Sequence, residues 1–175
     1  ITFLSFDDEH HRVEIANTSD VLKNLGFIPK LIMNLKLFLN KKIPTIVGLD
    51  HISYRINPID RWFNFYFEAK ERGLDPLWTI NHGWISGIYY KDPDGNLVEI
   101  FFEHFSSAEE FKSNISPDFE DEPIGTNMDV EVLYEMYKAG SDFSELITKG
   151  NTVPEGKKPV SGFDAVVNMK KKFKD

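Results

Sequence analysis

Apolar residues dominate from Thr2 to Phe6, give way to the charged run Asp7-Asp8-Glu9, and alternate with polar ones from Arg12 to Ile15. That pattern predicts a short β-hairpin. The period then changes. Leu22, Leu25, Phe27, Ile28, Leu31, Ile32 and Leu35 are spaced for one side of a helix, and Gly26 and Pro29 put most of that helix after Pro29. Alternation returns over 47–56, where Leu49, His51, Ser53 and Arg55 share one face and Asp50, Ile52, Tyr54 and Ile56 the other.

Asn57-Pro58 predicts a helix start, with Asn57 as the cap and Pro58 in the first turn. Trp62, Phe63, Tyr66 and Ala69 then form one apolar stripe, Glu68 and Arg72 are spaced as a favourable pair, and Gly73 ends the helix. Strands are predicted over 77–80, 86–90 and 97–102, the last two joined by a tight turn, Lys91-Asp92-Pro93-Asp94-Gly95-Asn96. Residues 46–103 therefore read as one β-α-β-β-β module. Beyond it, 108–112, 130–138 and 165–173 are patterned as helices, and 113–127 and 148–162 as loops.

Residues 3–15 repeat the plan of 88–100: an apolar strand, an acidic turn, then Val-Glu-Ile. Both segments read as the last hairpin of a module, so the sequence is expected to begin inside a first module whose counterpart of His51 precedes Ile1. The expected division is a final hairpin of that first module over 1–17, an apolar connector over 18–45, a complete module over 46–103 and a helical extension over 104–175.

Composition narrows the classes. Hydrophobic residues make up 41% of the chain, enough to bury a core, and a charged fraction of 27% is that of an ordinary globular domain. Fifteen Phe favour aromatic-rich strands or an apolar pocket. The net charge of −8 repels phosphate backbones, which argues against nucleic acid as a partner. The basic run Lys170-Lys171-Lys172-Phe173-Lys174 reads as a solvated helix end. With no Cys there is no disulfide, no thiolate metal site and no Cys nucleophile, which fits a cytoplasmic protein. Lysines and asparagines interrupt the most apolar stretch, Leu22 to Leu39, so no membrane span is expected, and no signal peptide is visible at the start.

Chemistry concentrates on the histidines, of which there are five: His10, His11, His51, His82 and His104. His51 lies on the first strand of the module and Glu99 on the last, and such a module can bring those strands side by side. A His and a carboxylate make half of a metal site, and two His with one carboxylate and open positions are the ligand set of non-haem Fe(II) oxygenases. Alone, the pair is unspecific: a histidine on a half-buried strand is more often a satisfied core residue than a ligand, and a strand glutamate is usually solvated. His104, just past the last strand, is expected at the surface.

The segment Gly87-Ile88-Tyr89-Tyr90-Lys91-Asp92-Pro93-Asp94-Gly95-Asn96-Leu97-Val98-Glu99-Ile100 resembles the Y-x-x-D-P-D-G-N-x-x-E signature of the vicinal-oxygen-chelate superfamily. Glyoxalases, fosfomycin and bleomycin resistance proteins and extradiol dioxygenases belong to it. Gly48-Leu49-Asp50-His51-Ile52 looks like its metal-histidine strand. Two further segments are similar to the extradiol catechol dioxygenase branch: Phe6 to Val13, with its paired His10 and His11, and Ile80-Asn81-His82-Gly83. The resemblance covers residues 2–103 and extends more loosely to Gly140.

The resemblance implies an α+β fold of paired βαβββ modules that form a curved mixed sheet around a metal cavity, with C-terminal helices. It implies an Fe(II)-dependent ring-cleaving dioxygenase acting on a small aromatic diol and O₂, in a homo-oligomer. His51 and Glu99 would ligate the iron, with a second His ligand from the first module. His11 would be the acid/base, His10 would point away, and His82 and Tyr89 would hydrogen-bond the substrate. Of the two adjacent tyrosines, Tyr89 has the family's spacing from Pro93. Two features depart from the pattern. The third ligand is not in the chain at its expected place, and Glu14 occupies the position equivalent to Glu99. A Glu14–His51–Glu99 set would instead fit a glyoxalase-like isomerase or resistance protein using Ni, Zn or Mn, and a non-catalytic ligand-binding module is the third reading.

Overall fold

The computed structural model of the protein describes residues 2–4, 13–15, 49–114 and 124–162. The helix expected after Pro29, the helix expected over 165–173, and His10 and His11 lie outside the described residues. The chain divides into two compact units, Ile1–Leu49 and Asp50–Asp175.

In the first unit, β1 (Thr2–Leu4) and β2 (Val13–Ile15) form the antiparallel pair that the alternation predicts, with Thr2 opposite Ile15, Phe3 opposite Glu14 and Leu4 opposite Val13.

The second unit runs β3 (His51–Arg55), α1 (Ile59–Glu71), β4 (Trp78–Asn81), β5 (Ile85–Lys91), β6 (Leu97–Glu103), α2 (Ala108–Asn114), β7 (Thr126–Asn127), α3 (Val130–Lys138) and α4 (Phe143–Ile147). Its α+β architecture rests on a five-stranded mixed sheet in the order β3-β6-β5-β4-β7. The first strand, β3, pairs in parallel with β6, and the hairpins β4–β5 and β5–β6 are antiparallel. The first and last strands of the 46–103 segment are thus neighbours. The β5–β6 turn is closed by Asp92, which accepts from the Asn96 backbone N–H at 2.7 Å and from its side-chain amide at 2.9 Å, while Gly95 takes φ +92°. Asp, Asn and Gly are what such a turn demands.

The two faces of the sheet part company by the period of two. Ile88, Ile100 and Phe102 face α1, whose buried residues are the apolar stripe Trp62, Phe63, Tyr66 and Ala69. Trp62 is fully buried, lies edge-on to Phe102 at 4.9 Å and donates from Nε1 to the Ile100 carbonyl at 3.0 Å. Tyr90 belongs to this face and meets Phe65 of α1. Leu133 of α3 and Leu146 of α4 close the core. The odd-numbered residues of β5 and β6 turn to the other face.

Local expectations needed revision. Asn57 does not cap α1. The N-cap is Pro58, with no side-chain cap, and Asn57 Oδ1 instead accepts from the Glu103 backbone N–H at 3.2 Å, tying the helix start to the end of β6. Arg72 and Glu68 are 3.8 Å apart and exposed, so their pairing contributes a few tenths of a kcal/mol at most. The segment patterned as a loop over 113–127 ends in β7, which pairs with β4, and α4 was not anticipated. Residues 148–162 have no regular element but are bound to the body. Thr152 accepts from Asp129 N–H at 2.7 Å, and Gly125 accepts from Gly162 N–H at 2.6 Å.

Candidate active site

Glu99 sits at the centre of the face opposite the core. In sheet register it is flanked by Ser53 on β3 and Tyr89 on β5, and Tyr89 in turn by Trp78 on β4. Ser53, Glu99, Tyr89 and Trp78 therefore make one row across adjacent strands. His51, two positions from Ser53, and His82, just past β4, lean over the same row.

The carboxylate of Glu99 is almost wholly buried, with 3% of its side chain exposed. Its Oε2 accepts from Ser53 Oγ at 2.6 Å and lies 3.3 Å from His51 Nε2. Its Oε1 lies 3.7 Å from His82 Nε2 and has no hydrogen-bond partner. Tyr89 places its hydroxyl 3.4 Å from His82 Nε2 and its ring edge-on to His51, with centroids 5.1 Å apart. Trp78 packs on the Tyr89 ring at 5.0 Å. The structure thus brings His51, His82, Tyr89 and Glu99 together. His11 lies outside the described residues, as does the side chain of Glu14.

Each histidine is aimed by a local device. His51 Nδ1 is 2.8 Å from the Asp50 carboxylate. A carboxylate accepts only, so Nδ1 carries the proton and a neutral His51 presents Nε2 as its free donor atom. His82 opens the β4–β5 turn: its backbone N–H bonds the Ile85 carbonyl at 2.9 Å, and Gly83 takes φ +91°, a left-handed conformation that glycine adopts without steric cost. Buried Asn81 braces that turn, accepting from Gly83 N–H at 2.7 Å and donating to the Ile147 carbonyl at the end of α4 at 2.9 Å.

Electrostatics couple the cluster. Burial lowers the His51 pKa, but hydrogen bonds and charges of Asp50 and Glu99 outweigh it and raise the imidazole to about 10. Burial would raise the Glu99 carboxyl, and the imidazoles of His51 and His82 outweigh that, holding it well below the usual carboxylate range. Without a metal, the centre is a His51 imidazolium against a Glu99 carboxylate.

A buried carboxylate oxygen without a partner, beside an imidazole nitrogen, is a donor set that fits a divalent cation. Among the described residues no group of three or more His, Cys, Asp or Glu is disposed to hold a metal.

His104 is not at the surface. It is 5% exposed, its Nε2 is 2.9 Å from Ser86 Oγ, and it packs on Phe102 at 5.1 Å. Its backbone N–H bonds the Trp84 carbonyl and holds it against the β4–β5 turn. Ser53, Trp78 and Asn81 were missed as neighbours of the site. Ser53 was detectable, since it shares the His51 face by alternation.

Sequence comparison decides the family. The chain is 30% identical over 148 residues to biphenyl-2,3-diol 1,2-dioxygenase 3 of Rhodococcus globerulus, an alignment spanning 84% of the chain and 70% of that enzyme. The chain belongs to the extradiol dioxygenase family. Biphenyl-2,3-diol 1,2-dioxygenase 2 of the same organism is 26% identical over 149 residues, covering 85% of the chain and 70% of the enzyme. No family model and no solved structure matches the sequence. Among the described residues His51, His82, Tyr89 and Glu99 are chemically capable groups that the fold collects on one face. No helix among the described residues is long and apolar enough to cross a membrane.

Proposed function

We propose that this protein is an Fe(II)-dependent extradiol dioxygenase that opens the ring of a catechol-type aromatic next to its two hydroxyls. The observation that carries the reading is the convergence of His51, His82, Tyr89 and Glu99 from neighbouring strands onto one face.

His51 Nε2 and the Glu99 carboxylate are the protein groups that would hold the iron, with a third donor from outside the described residues. When bound, the iron draws charge from a chelating diol and brings it together with O₂. The protein's own residues do the rest. Asp50 keeps the His51 Nε2 lone pair available. His82 and Tyr89, within hydrogen-bond reach of each other, accept and return a proton at the substrate hydroxyl beside the metal. Trp78 and the Tyr89 ring offer flat apolar surface against an aromatic ring. His11 is the acid/base on the oxygen side. On this reading residues 1–17 end a first module, 18–45 connect it to the module of 46–103, and 104–175 form an extension that braces His82 through Asn81.

The test is O₂ uptake by the reduced, Fe(II)-loaded protein against a panel of catechols. Stoichiometric uptake with a coloured ring-opened product, abolished in His51→Ala and Glu99→Ala, is the expected result. Turnover without O₂ consumption and with Ni(II), Zn(II) or Mn(II) would replace the reading with a glyoxalase-like isomerase. Retained ligand binding in His51→Ala with no metal bound would replace it with a non-catalytic module.

A further inference from the structure

The Glu99 carboxylate is held by more than its imidazole neighbours. Ser53 stands directly across from it on β3 and Tyr89 directly across on β5, which makes His51 and Gly87 its diagonal neighbours on the same face. Three of these four carry side chains around the carboxylate. The fourth carries none, and the carboxylate lies over it: a Cβ added at Gly87 would collide with Glu99 Oε1 and sit 3.2 Å from Cδ and 3.3 Å from Cγ. On the other side, the Ser53 hydroxyl donates its one proton to Oε2 at 2.6 Å.

We propose that Ser53 and Gly87 are positioning residues that together fix one orientation of the Glu99 carboxylate, Ser53 by tying down Oε2 and Gly87 by leaving the space that Oε1 fills. The inference rests on the reading of Glu99 as an iron ligand. Neither residue touches the metal or the substrate in that reading.

The physical argument has two parts. Glutamate has three side-chain torsions, so a buried carboxylate used as a ligand must be immobilised by its surroundings, and groups that bond a ligating carboxylate from behind set its direction and basicity. Ser53 is the only described side-chain hydrogen-bond donor to Oε2 besides the neighbouring imidazole. Its bond leaves Oε1 as the buried oxygen with no hydrogen-bond partner. Glycine inside a strand interior weakens it, and such a residue marks a place where something must approach the backbone closely. Here what approaches is the carboxylate itself, so Gly87 exchanges strand propensity for room at the site.

The experiment compares Ser53→Ala, Ser53→Thr and Gly87→Ala with the unmodified chain. Metal-free crystal structures show where the Glu99 carboxylate lies, and anaerobic chelator competition gives the Fe(II) affinity, with the visible spectrum of the Co(II)-loaded protein reporting the ligand geometry. In Ser53→Ala the carboxylate is expected to turn, Fe(II) affinity to fall by about 10- to 100-fold and the Co(II) spectrum to change. Ser53→Thr, which keeps the hydroxyl, should restore all three. Gly87→Ala should displace the carboxylate and lose metal as fully as Glu99→Ala. Should Gly87→Ala fail to fold, the serine pair still decides. A Glu99 carboxylate unmoved in Ser53→Ala, with unchanged Fe(II) affinity, would overturn the proposal. If the unmodified chain binds no Fe(II), its own residues do not complete the metal site, and displacement of Glu99 in the metal-free crystals still decides whether Ser53 and Gly87 position it.

Discussion

His104 Nε2 lies 2.9 Å from the Ser86 hydroxyl, and both side chains are buried. Ser86 shares the face of Ile88, so this pair sits on the opposite side of the sheet from Glu99. A histidine in that position must stay neutral, and burial pushes its pKa down from 6.5 to about 3.

The sign of the resulting pH dependence follows from the depressed value. Between pH 6.5 and 3 the unfolded chain protonates His104 and the folded chain does not, so stability is present above 6.5 and declines as the pH falls through that window. From pH 8 to pH 5 the loss is about 2 kcal/mol for this one group. His51, whose folded value is raised, works in the opposite direction: its contribution is full below 6.5 and is lost as the pH rises towards about 10. The comparison must therefore be a difference. In urea melts of the metal-free protein, His104→Gln should lose less stability than the unmodified chain between pH 8 and pH 5. Parallel losses would show that His104 does not titrate on unfolding.

The brace under His82 is a second target. Asn81 is fully buried and satisfies the Gly83 N–H on one side and the Ile147 carbonyl on the other. Asn81→Ala orphans both, at a cost of about 2 to 4 kcal/mol. Because the Gly83 bond shapes the turn that carries His82, the variant should also lose turnover at saturating substrate, beyond the fraction unfolded. A urea midpoint close to the unmodified protein's would show that water replaces both partners.

Much of this architecture was legible because it is periodic. The stripe Trp62, Phe63, Tyr66 and Ala69 and the alternation through His51 follow directly from residue spacing, and all four stripe residues are buried. The signature from Tyr89 to Glu99 carried the turn and both flanking strands. The failures came where a tertiary partner outbid a local rule. Asn57 has the chemistry of a cap, but the Glu103 N–H takes its oxygen. His104 stands past a strand end, where exposure is the default, and nothing in its neighbours announces that Trp84, Phe102 and Ser86 enclose it. Gly87 was visible as a glycine within a strand, yet only the pairing register shows that Glu99 is what crosses it.

Trp62 tests the core. Its Nε1–H donates to the Ile100 carbonyl and its ring packs against Phe63 and Phe102. Trp62→Ala removes the largest fully buried side chain and should cost about 3 to 5 kcal/mol. Trp62→Phe keeps an aromatic ring but abandons a buried carbonyl and leaves space, with an expected cost of about 1 to 3 kcal/mol. Equal urea midpoints for the two variants would mean that the indole packing contributes little beyond its hydrogen bond.

Tyr89 separates the roles of ring and hydroxyl within the proposed chemistry. The ring is wedged between His51 and Trp78, with centroid distances of 5.1 and 5.0 Å, and the hydroxyl lies 3.4 Å from His82 Nε2. Tyr89→Phe preserves the first set of contacts, so the metal-free stability should change by about 1 kcal/mol or less. Fe(II) affinity should be unchanged, because neither His51 nor Glu99 hydrogen-bonds the lost oxygen in the described contacts. Turnover should nevertheless fall by about 100-fold, the usual scale for removing a group that handles a proton in the reaction. Oxygen-uptake kinetics with a saturating catechol read that loss directly. Turnover at the unmodified rate would assign the proton step to His82 and His11 and leave Tyr89 as packing for the His51 ring, whereas a loss confined to KM would make its hydroxyl a substrate anchor.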